Sequence, residues 1–250
     1  MKNIKNIDQY LYNDYKKRLL EINKRIIWLK IMNYLTAVVP VRKNSQRVKN
    51  KNFKNFNKKN LLIHKIEKLK KIKLFDQIIV NTDSNEAIKI AKKMNVSYHK
   101  RDSYYASSNC SNSDFWKHIA KNTLSEYIFF TNCTSPLIKI NTYEKIINKF
   151  QKIKKTHNSL NTVNLVKDFL FLNRKSINFD QKKTPNSQDL PNIYRLNFAV
   201  NIISSNMMFK RKSLVGSIPF FFELDEIEGF DIDTNFQFDY AQFMHKKLFK

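Results

Sequence analysis

The chain has 250 residues, 42% hydrophobic and 13% aromatic, with a net charge of +25; that is enough apolar material for a packed core, so global disorder is excluded. It carries 2 glycines, Gly216 and Gly229, where average usage gives about 17, which excludes a Gly-x-Gly-x-x-Gly dinucleotide loop and a Walker A loop. No apolar run is long enough to span a membrane, and 2 cysteines, Cys110 and Cys133, are neither a disulfide framework nor a zinc set, so a reducing cytoplasm is the expected setting.

In chain order, residues 1–31 read as a helical extension, with Leu11, Tyr15, Leu19, Ile22, Ile26 and Leu29 at three- and four-residue steps. It is either a helix that packs on the domain or a partner, or a stretch upstream of a start at Met32. Leu35–Val41 is a buried-type strand, followed by a polar loop, Arg42–Lys59. A helix is expected over Leu61–Leu74 with Ile63, Ile66, Leu69 and Ile72 on one face. Gln77–Asn81 is a second strand, and Asp83 with Glu86 fits a capping box for a helix over Asn85–Met94. Val96–His99 and Tyr127–Thr131 are further strands, and Asn141 with Glu144 caps a helix running to Lys152. Beyond it, short strands are expected at Leu160–Val166 and Phe169–Asn173, then a loop, Lys182–Pro191, then strands Phe198–Ile203 and Phe220–Leu224. Asn235–Leu248 closes the chain as a helix with Phe236, Tyr240, Phe243 and Met244 toward the core. Strands alternating with helices predict an α/β domain with a largely parallel sheet over residues 32–250, interrupted by an insertion at about 155–195. Ligands in such sheets sit beyond the carboxyl ends of the strands.

Three constellations could carry chemistry. The loop after the first strand holds Arg42, Lys43, Arg47, Lys49 and Lys51 among Asn44, Ser45, Asn50 and Asn52, a set that suits a polyphosphate or, equally, a solvated surface. Asp231 and Asp233 alternate on an extended chain, about 7 Å apart on one face; that spacing suits a shared hard cation such as Mg²⁺, although turns and caps use it too. Asn132, Thr134 and Ser135 follow a strand end and precede Pro136, either as ligand contacts or as turn residues. Cys133 reads as packing, and the histidines show no metal-ligand spacing. The charge invites a nucleic-acid reading, but only eight of the 46 basic residues are arginine, so solvated lysine faces account for most of it.

The order of these pieces resembles the CMP-sialic acid synthetase (acylneuraminate cytidylyltransferase) family. VVPVRKNSQRVKNKN, Val38–Asn52, stands in the place of the family's first motif, with Arg42, Ser45, Lys51 and Asn52 matching. Asn81-Thr82-Asp83 matches the second, Arg101 in KRDSYYASS the third, and Asn132–Leu137 the fourth. LPNIYRLNFAVNI, Leu190–Ile202, matches the fifth through Asn197 and Ala199, and Asp231–Thr234 the sixth. The agreement runs from about residue 33 to the C-terminus. The chain departs from the family pattern at Gln46, where a lysine is usual and Arg47 stands next to it, at Ile138-Lys139, where an arginine often follows, and at Phe198, where the family has glycine. Lys43-Asn44 replaces a Gly-Gly pair, and Asn44 is the residue expected to carry the left-handed turn.

The resemblance implies a three-layer αβα nucleotidyltransferase domain, glycosyltransferase-A-like, with a small dimerisation insertion. It implies transfer of CMP from CTP to the anomeric hydroxyl of a sialic-acid-like (nonulosonic) 2-keto sugar acid, with pyrophosphate leaving. Arg42, Asn44, Ser45, Lys51 and Asn52 would surround the triphosphate, Arg42 and Lys51 catalytically; Asp83 and Arg101 would lie near the nucleotide. Asn132, Thr134, Ser135 and Asn197 would meet the acceptor, and Asp231 and Asp233 would be catalytic and hold Mg²⁺. A cytoplasmic homodimer is the family expectation, with no nucleic-acid or membrane partner. The readings left beside it are a nucleotidyltransferase of the same fold using another sugar or NTP, a non-catalytic relative, and a basic nucleic-acid-binding protein.

Overall fold

The computed structural model describes residues 15–21 and 33–249. Residues 15–21 are helical and exposed and belong to a unit of their own, Met1–Asn33. Leu11, Ile22, Ile26, Leu29 and Met32 lie outside the described residues.

The second unit is built on one seven-stranded sheet among the described residues. Its strands are β1 (Asn33–Val41), β2 (Gln77–Thr82), β3 (Ser97–Lys100), β4 (Ser125–Phe130), β5 (Ser159–Val166), β8 (Ile193–Ser204) and β9 (Pro219–Glu223), in the order β3-β2-β1-β4-β8-β5-β9. β1, β2 and β3 pair in parallel, as do β5 and β9, while β8 runs antiparallel to β4 and β5. The remaining strands, β6 (Phe171–Leu172) and β7 (Lys175–Ser176), form a small antiparallel hairpin between β5 and β8. The helices are α1 (Leu61–Lys70), α2 (Asn85–Lys93), α3 (Asn112–Lys121), α4 (Ile140–Ile153), α5 (Ser205–Arg211) and α6 (Asn235–Leu248).

Alternation along β1 divides the core into two layers. Leu35, Ala37, Val39 and Val41 pack with α1, α2, α4 and α6. Val38 faces the other way, into a smaller cluster with Ile128, Phe130, Ile203, Met208 and Leu214 under α3 and α5. The mostly parallel three-layer α/β architecture is therefore as the sequence predicts.

Several local expectations are corrected. α1 ends at Lys70, not Leu74, and its inner face is Leu61, Leu62, Lys65, Ile66, Lys68 and Leu69. α2 is capped by Ser84, whose hydroxyl accepts from Ala87 N; Asp83 instead accepts the Lys43 backbone N–H at 2.9 Å. α4 starts at Ile140 after Lys139 with no side-chain cap, so Asn141 does not serve there. α3 and α5 are additional helices, each with a serine N-cap, Ser111 and Ser204. α6 has the expected bounds but a different face: Met244 packs against the core as expected, but Phe236 is 79% and Phe243 66% exposed, while Phe238, Ala241 and His245 are buried. Thr234 and Gln237 form its capping box, and that fixes its rotation.

Two lysines of α1 are structural. Lys65 is 1% exposed, and its ammonium donates to Thr131 Oγ1 and Ser135 O, each at 3.1 Å, and to the Tyr143 hydroxyl. Lys68 donates to Pro136 O and Ile138 O and lies over the Phe249 ring. Together they satisfy carbonyls of the irregular 131–138 segment, which would otherwise be buried without donors. Burial pushes Lys65 down to about 8 and Lys68 to about 7.

Candidate active site

A cleft of about 370 Å³ opens at the carboxyl ends of β1 and β4. Its floor and one wall come from the loop after β1, where Arg42, Ser45, Gln46, Arg47, Lys51 and Asn52 line it. Val48 and Phe56 sink into the core at 1% and 0% exposure and anchor this loop. A turn at Asn50, with φ of 53°, folds it back, and Asn57 is left-handed further along, whereas Asn44 is not.

The carboxylates approach from the C-terminal side. Thr134 O accepts the backbone N–H of Ile232 at 3.0 Å, which brings Asp231 and Asp233 beside the segment after β4. Lys51 Nζ donates to Ile232 O and lies 3.6 Å from Asp233 Oδ1. Arg47 reaches the same Asp233 oxygen at 2.7 Å. Arg47 thus puts a guanidinium beside the position where Gln46 lacks a charge. Burial lowers the Lys51 pKa, against the pull of Asp231 and Asp233.

Asp231 is the electrostatic anomaly. Burial raises it to about 6, opposed by a hydrogen bond from the Thr134 side chain. Its Oδ1 is buried with no hydrogen-bond partner. A desolvated carboxylate oxygen without a partner is costly, and it is the donor type a hard divalent cation takes up. The pair fits such an ion.

The other predicted residues divide. Arg101, Asn132 and Thr134 line the cleft. Arg101 is 5% exposed, donates to Asn81 Oδ1 at 2.9 Å and Val41 O at 3.3 Å, and lies over the Phe115 ring. Burial pushes its pKa down to about 10, with Asp83 opposing. Asp83 stands behind it, 4.0 Å from the guanidinium, tying β2 to the Lys43 backbone. Ser135 is fully buried behind the cleft wall. Asn44 is exposed on the loop and, with Asp83, Ser135 and Asn197, is outside the cleft lining.

Asn197 is occupied by neighbours on its own strand and on β5. Its Oδ1 accepts from Thr162 Oγ1 at 2.6 Å and from Ala199 N at 3.1 Å, and its Nδ2 donates to Asn164 Oδ1. These bonds straddle Phe198, at a register shift where β5 residues Asn161 and Val163 pair with Asn201 and Leu196. The bulge turns Phe198 into the cleft with φ of 54°. A left-handed bulky residue costs on the order of 1–3 kcal/mol. Its ring stacks near Trp116 of α3, centroids 6.5 Å apart and planes 29° from parallel.

Trp116, Phe115, Tyr105 and Cys110 also line the cleft and are not among the residues the sequence singles out. The signal for the α3 residues is the Ser111–Asp114 pair: Asp114 N donates to Ser111 Oγ, and Ser111 Oγ to the Asp114 carboxylate. That pair marks a helix start, and hence the side of the cleft on which Trp116 falls.

Comparison with known proteins agrees with this geometry. A family model described as "Cytidylyltransferase" matches residues 36–242. The chain is 24% identical over 233 residues to "Post-translational flagellin modification protein B" of Campylobacter coli, covering 86% of this chain and 97% of that protein. It is 24% identical over 232 residues to "CMP-N,N'-diacetyllegionaminic acid synthase" of Campylobacter jejuni, covering 85% and 95%. Among solved structures, a CMP:2-keto-3-deoxy-manno-octonic acid synthetase complexed with CTP superposes with a TM-score of 0.63 at 11% identity, covering 86% of this chain and 99% of that one; at that identity the likeness concerns the fold.

Proposed function

The chain belongs to the cytidylyltransferase family, and on that premise we propose that it transfers CMP from CTP to the anomeric hydroxyl of a nonulosonic, sialic-acid-like 2-keto sugar acid. The observation that carries this reading is the meeting, in one cleft, of a cationic loop and the Asp231–Asp233 pair, with an unpartnered buried oxygen on Asp231. A relative named as a CMP-sugar synthase, matched over 95% of its length, supports the acceptor class. The reading sets the reaction in the cytoplasm.

The hydroxyl oxygen bonds to the α-phosphorus, the bond to the bridging oxygen of the β-phosphate breaks, pyrophosphate leaves, and the hydroxyl proton passes to water. Such a transfer is catalysed mainly by positioning and charge neutralisation. Arg42, Ser45, Lys51 and Asn52 would hold the triphosphate, and Arg47 would supply the extra loop cation. Arg101, fixed by Asn81 and Val41, shapes the nucleoside side of the cleft. Asn132 and Thr134 face the reacting end. Asp231 and Asp233 would hold Mg²⁺, which when bound neutralises phosphate charge and acidifies the hydroxyl. Lys51 keeps Asp233 and the Ile232 backbone in place.

The exposed apolar side chains Leu165, Phe169, Phe171, Leu172, Ile177 and Tyr194 lie on and beside the segment between β5 and β8. We propose that they meet a second copy in a homodimer.

The test is CTP-dependent pyrophosphate release with a panel of nonulosonic acids, across the four NTPs. Release is expected with CTP and to fall by about 100-fold or more in Asp231→Asn and in Asp233→Asn. Equal release with UTP or ATP, or unaltered rates in both variants, refutes the reading.

A further inference from the structure

Phe198 is the most conspicuous residue that the chemistry above leaves unused. A non-glycine aromatic at a φ of 54° is a genuine outlier. It persists because its surroundings over-determine it. Asn197 on one side is held by Thr162, Asn164 and the Ala199 amide. Ala199 and Val200 on the other side are fully buried, and Val200 N donates to the same Thr162 hydroxyl. A bulge pinned at both ends re-aims one side chain. Here it aims a phenyl ring at a cleft whose other end is cationic.

The ring meets an apolar corner. Trp116 stacks beside it, and Phe130 and Leu214, 3% and 1% exposed, are neighbours in the same lining. The charged groups Arg42, Arg47, Lys51, Asp231 and Asp233 lie in the loops after β1 and before α6. Position in the sheet separates this corner from the nucleoside. Arg101 and Asp83 belong to the β2 and β3 side, whereas Phe198 lies on β8, beyond β4 from β1. What enters the corner is therefore the acceptor, and hydroxyls packed on two aromatic faces would lose their water without replacement partners.

We propose that Phe198 and Trp116 form the acceptor-selecting wall, and that it favours a sugar acid whose tail is deoxygenated or acylated over one carrying free hydroxyls at the same carbons. This rests on the cytidylyltransfer reading of the same cleft. Aromatic faces take up C–H and methyl groups, and a polar tail gains no hydrogen bond there.

The test uses two nine-carbon 2-keto sugar acids, one with a polyhydroxyl tail and one deoxygenated and acylamido-substituted at the same positions. Wild type, Phe198→Gly and Trp116→Leu are compared by pyrophosphate release, and the first two also by Trp116 emission on acceptor titration with CTP present. The emission is read in Trp28→Phe backgrounds, since the chain has 2 tryptophans. Phe198→Gly removes the backbone outlier, so it is expected to fold. The wild type is expected to prefer the deoxygenated acceptor. Both variants are expected to lose about tenfold in kcat/KM for it, through KM, with the KM for CTP within about twofold. A shift in the KM for CTP instead assigns the wall to the nucleoside and overturns the proposal, as does an equal loss on both acceptors. Selective emission changes with no release would leave the wall standing and sink the catalytic reading. Release from both acceptors with equal kcat/KM and no emission change would do the reverse.

Discussion

Lys65→Met isolates the buried ammonium behind the 131–138 segment. In the folded chain burial pushes Lys65 down to about 8, from an ordinary value of 10.5. Below both values the amine is charged in both states, and the full burial penalty is present. Between them the unfolded chain binds more protons, so stability rises with pH. The shift corresponds to about 3 kcal/mol, of which about 2 kcal/mol is recovered between about pH 7.5 and about pH 9.5. Methionine matches the stem without the charge, so it removes this slope. It also strands the Ser135 carbonyl, which costs about 1–3 kcal/mol, and it relieves the desolvated charge, so at neutral pH the two effects largely offset. The assay is urea denaturation of both proteins over that pH window. Lys68, which faces Lys65, Glu228 and Lys71, is present in both and largely cancels in the difference. The gap between the two stabilities should widen in favour of the wild type by about 2 kcal/mol as pH rises. Curves that stay parallel would refute the argument that this lysine is charged at a cost.

Both glycines are expected to resist even alanine. A Cβ at Gly229 would sit 2.4 Å from Asn164 Nδ2, and one at Gly216 2.0 Å from Asn158 Oδ1; each substitution should lower stability by about 1–3 kcal/mol in thermal or urea unfolding, and no change would show that the asparagines swing away. For the dimer, Phe171→Lys with Leu172→Lys should yield monomer by sedimentation velocity; a wild type that is itself monomeric at micromolar concentration would remove the proposal.

The sheet was legible because apolar runs such as Leu35–Val41 are long and bounded, and β1 needs no partner to declare itself. The loop cations were legible from residue type and position after a strand, and the aspartates from their alternating spacing. What escaped depends on contacts between distant segments. Asp83 has the local pattern of a cap, yet Lys43, forty residues earlier, claims its carboxylate, and Ser84 takes over the cap. Asn197 has the character of a ligand contact, yet Thr162 and Asn164 of β5 consume it. α6 shows apolar residues on two faces, and only its packing on Phe56 through Phe238 chooses between them. Trp116 was hidden because α3 carries a weak apolar stripe, with only Ile119 and Ala120 buried.

The bond from Lys51 to the Ile232 carbonyl joins residues 181 positions apart, and that separation bears on how the protein is made. Synthesis runs from the N-terminus, so β1, its cationic loop and α1 are made long before Asp231 and Asp233, while the domain folds as a unit. Through Thr134, Ile232 docks on a segment that Lys65 already holds from beneath. The site is thus the last part of the domain to be completed. A chain cut short of that segment would lose Ile232, Phe238 and Ala241 from the core together with both carboxylates.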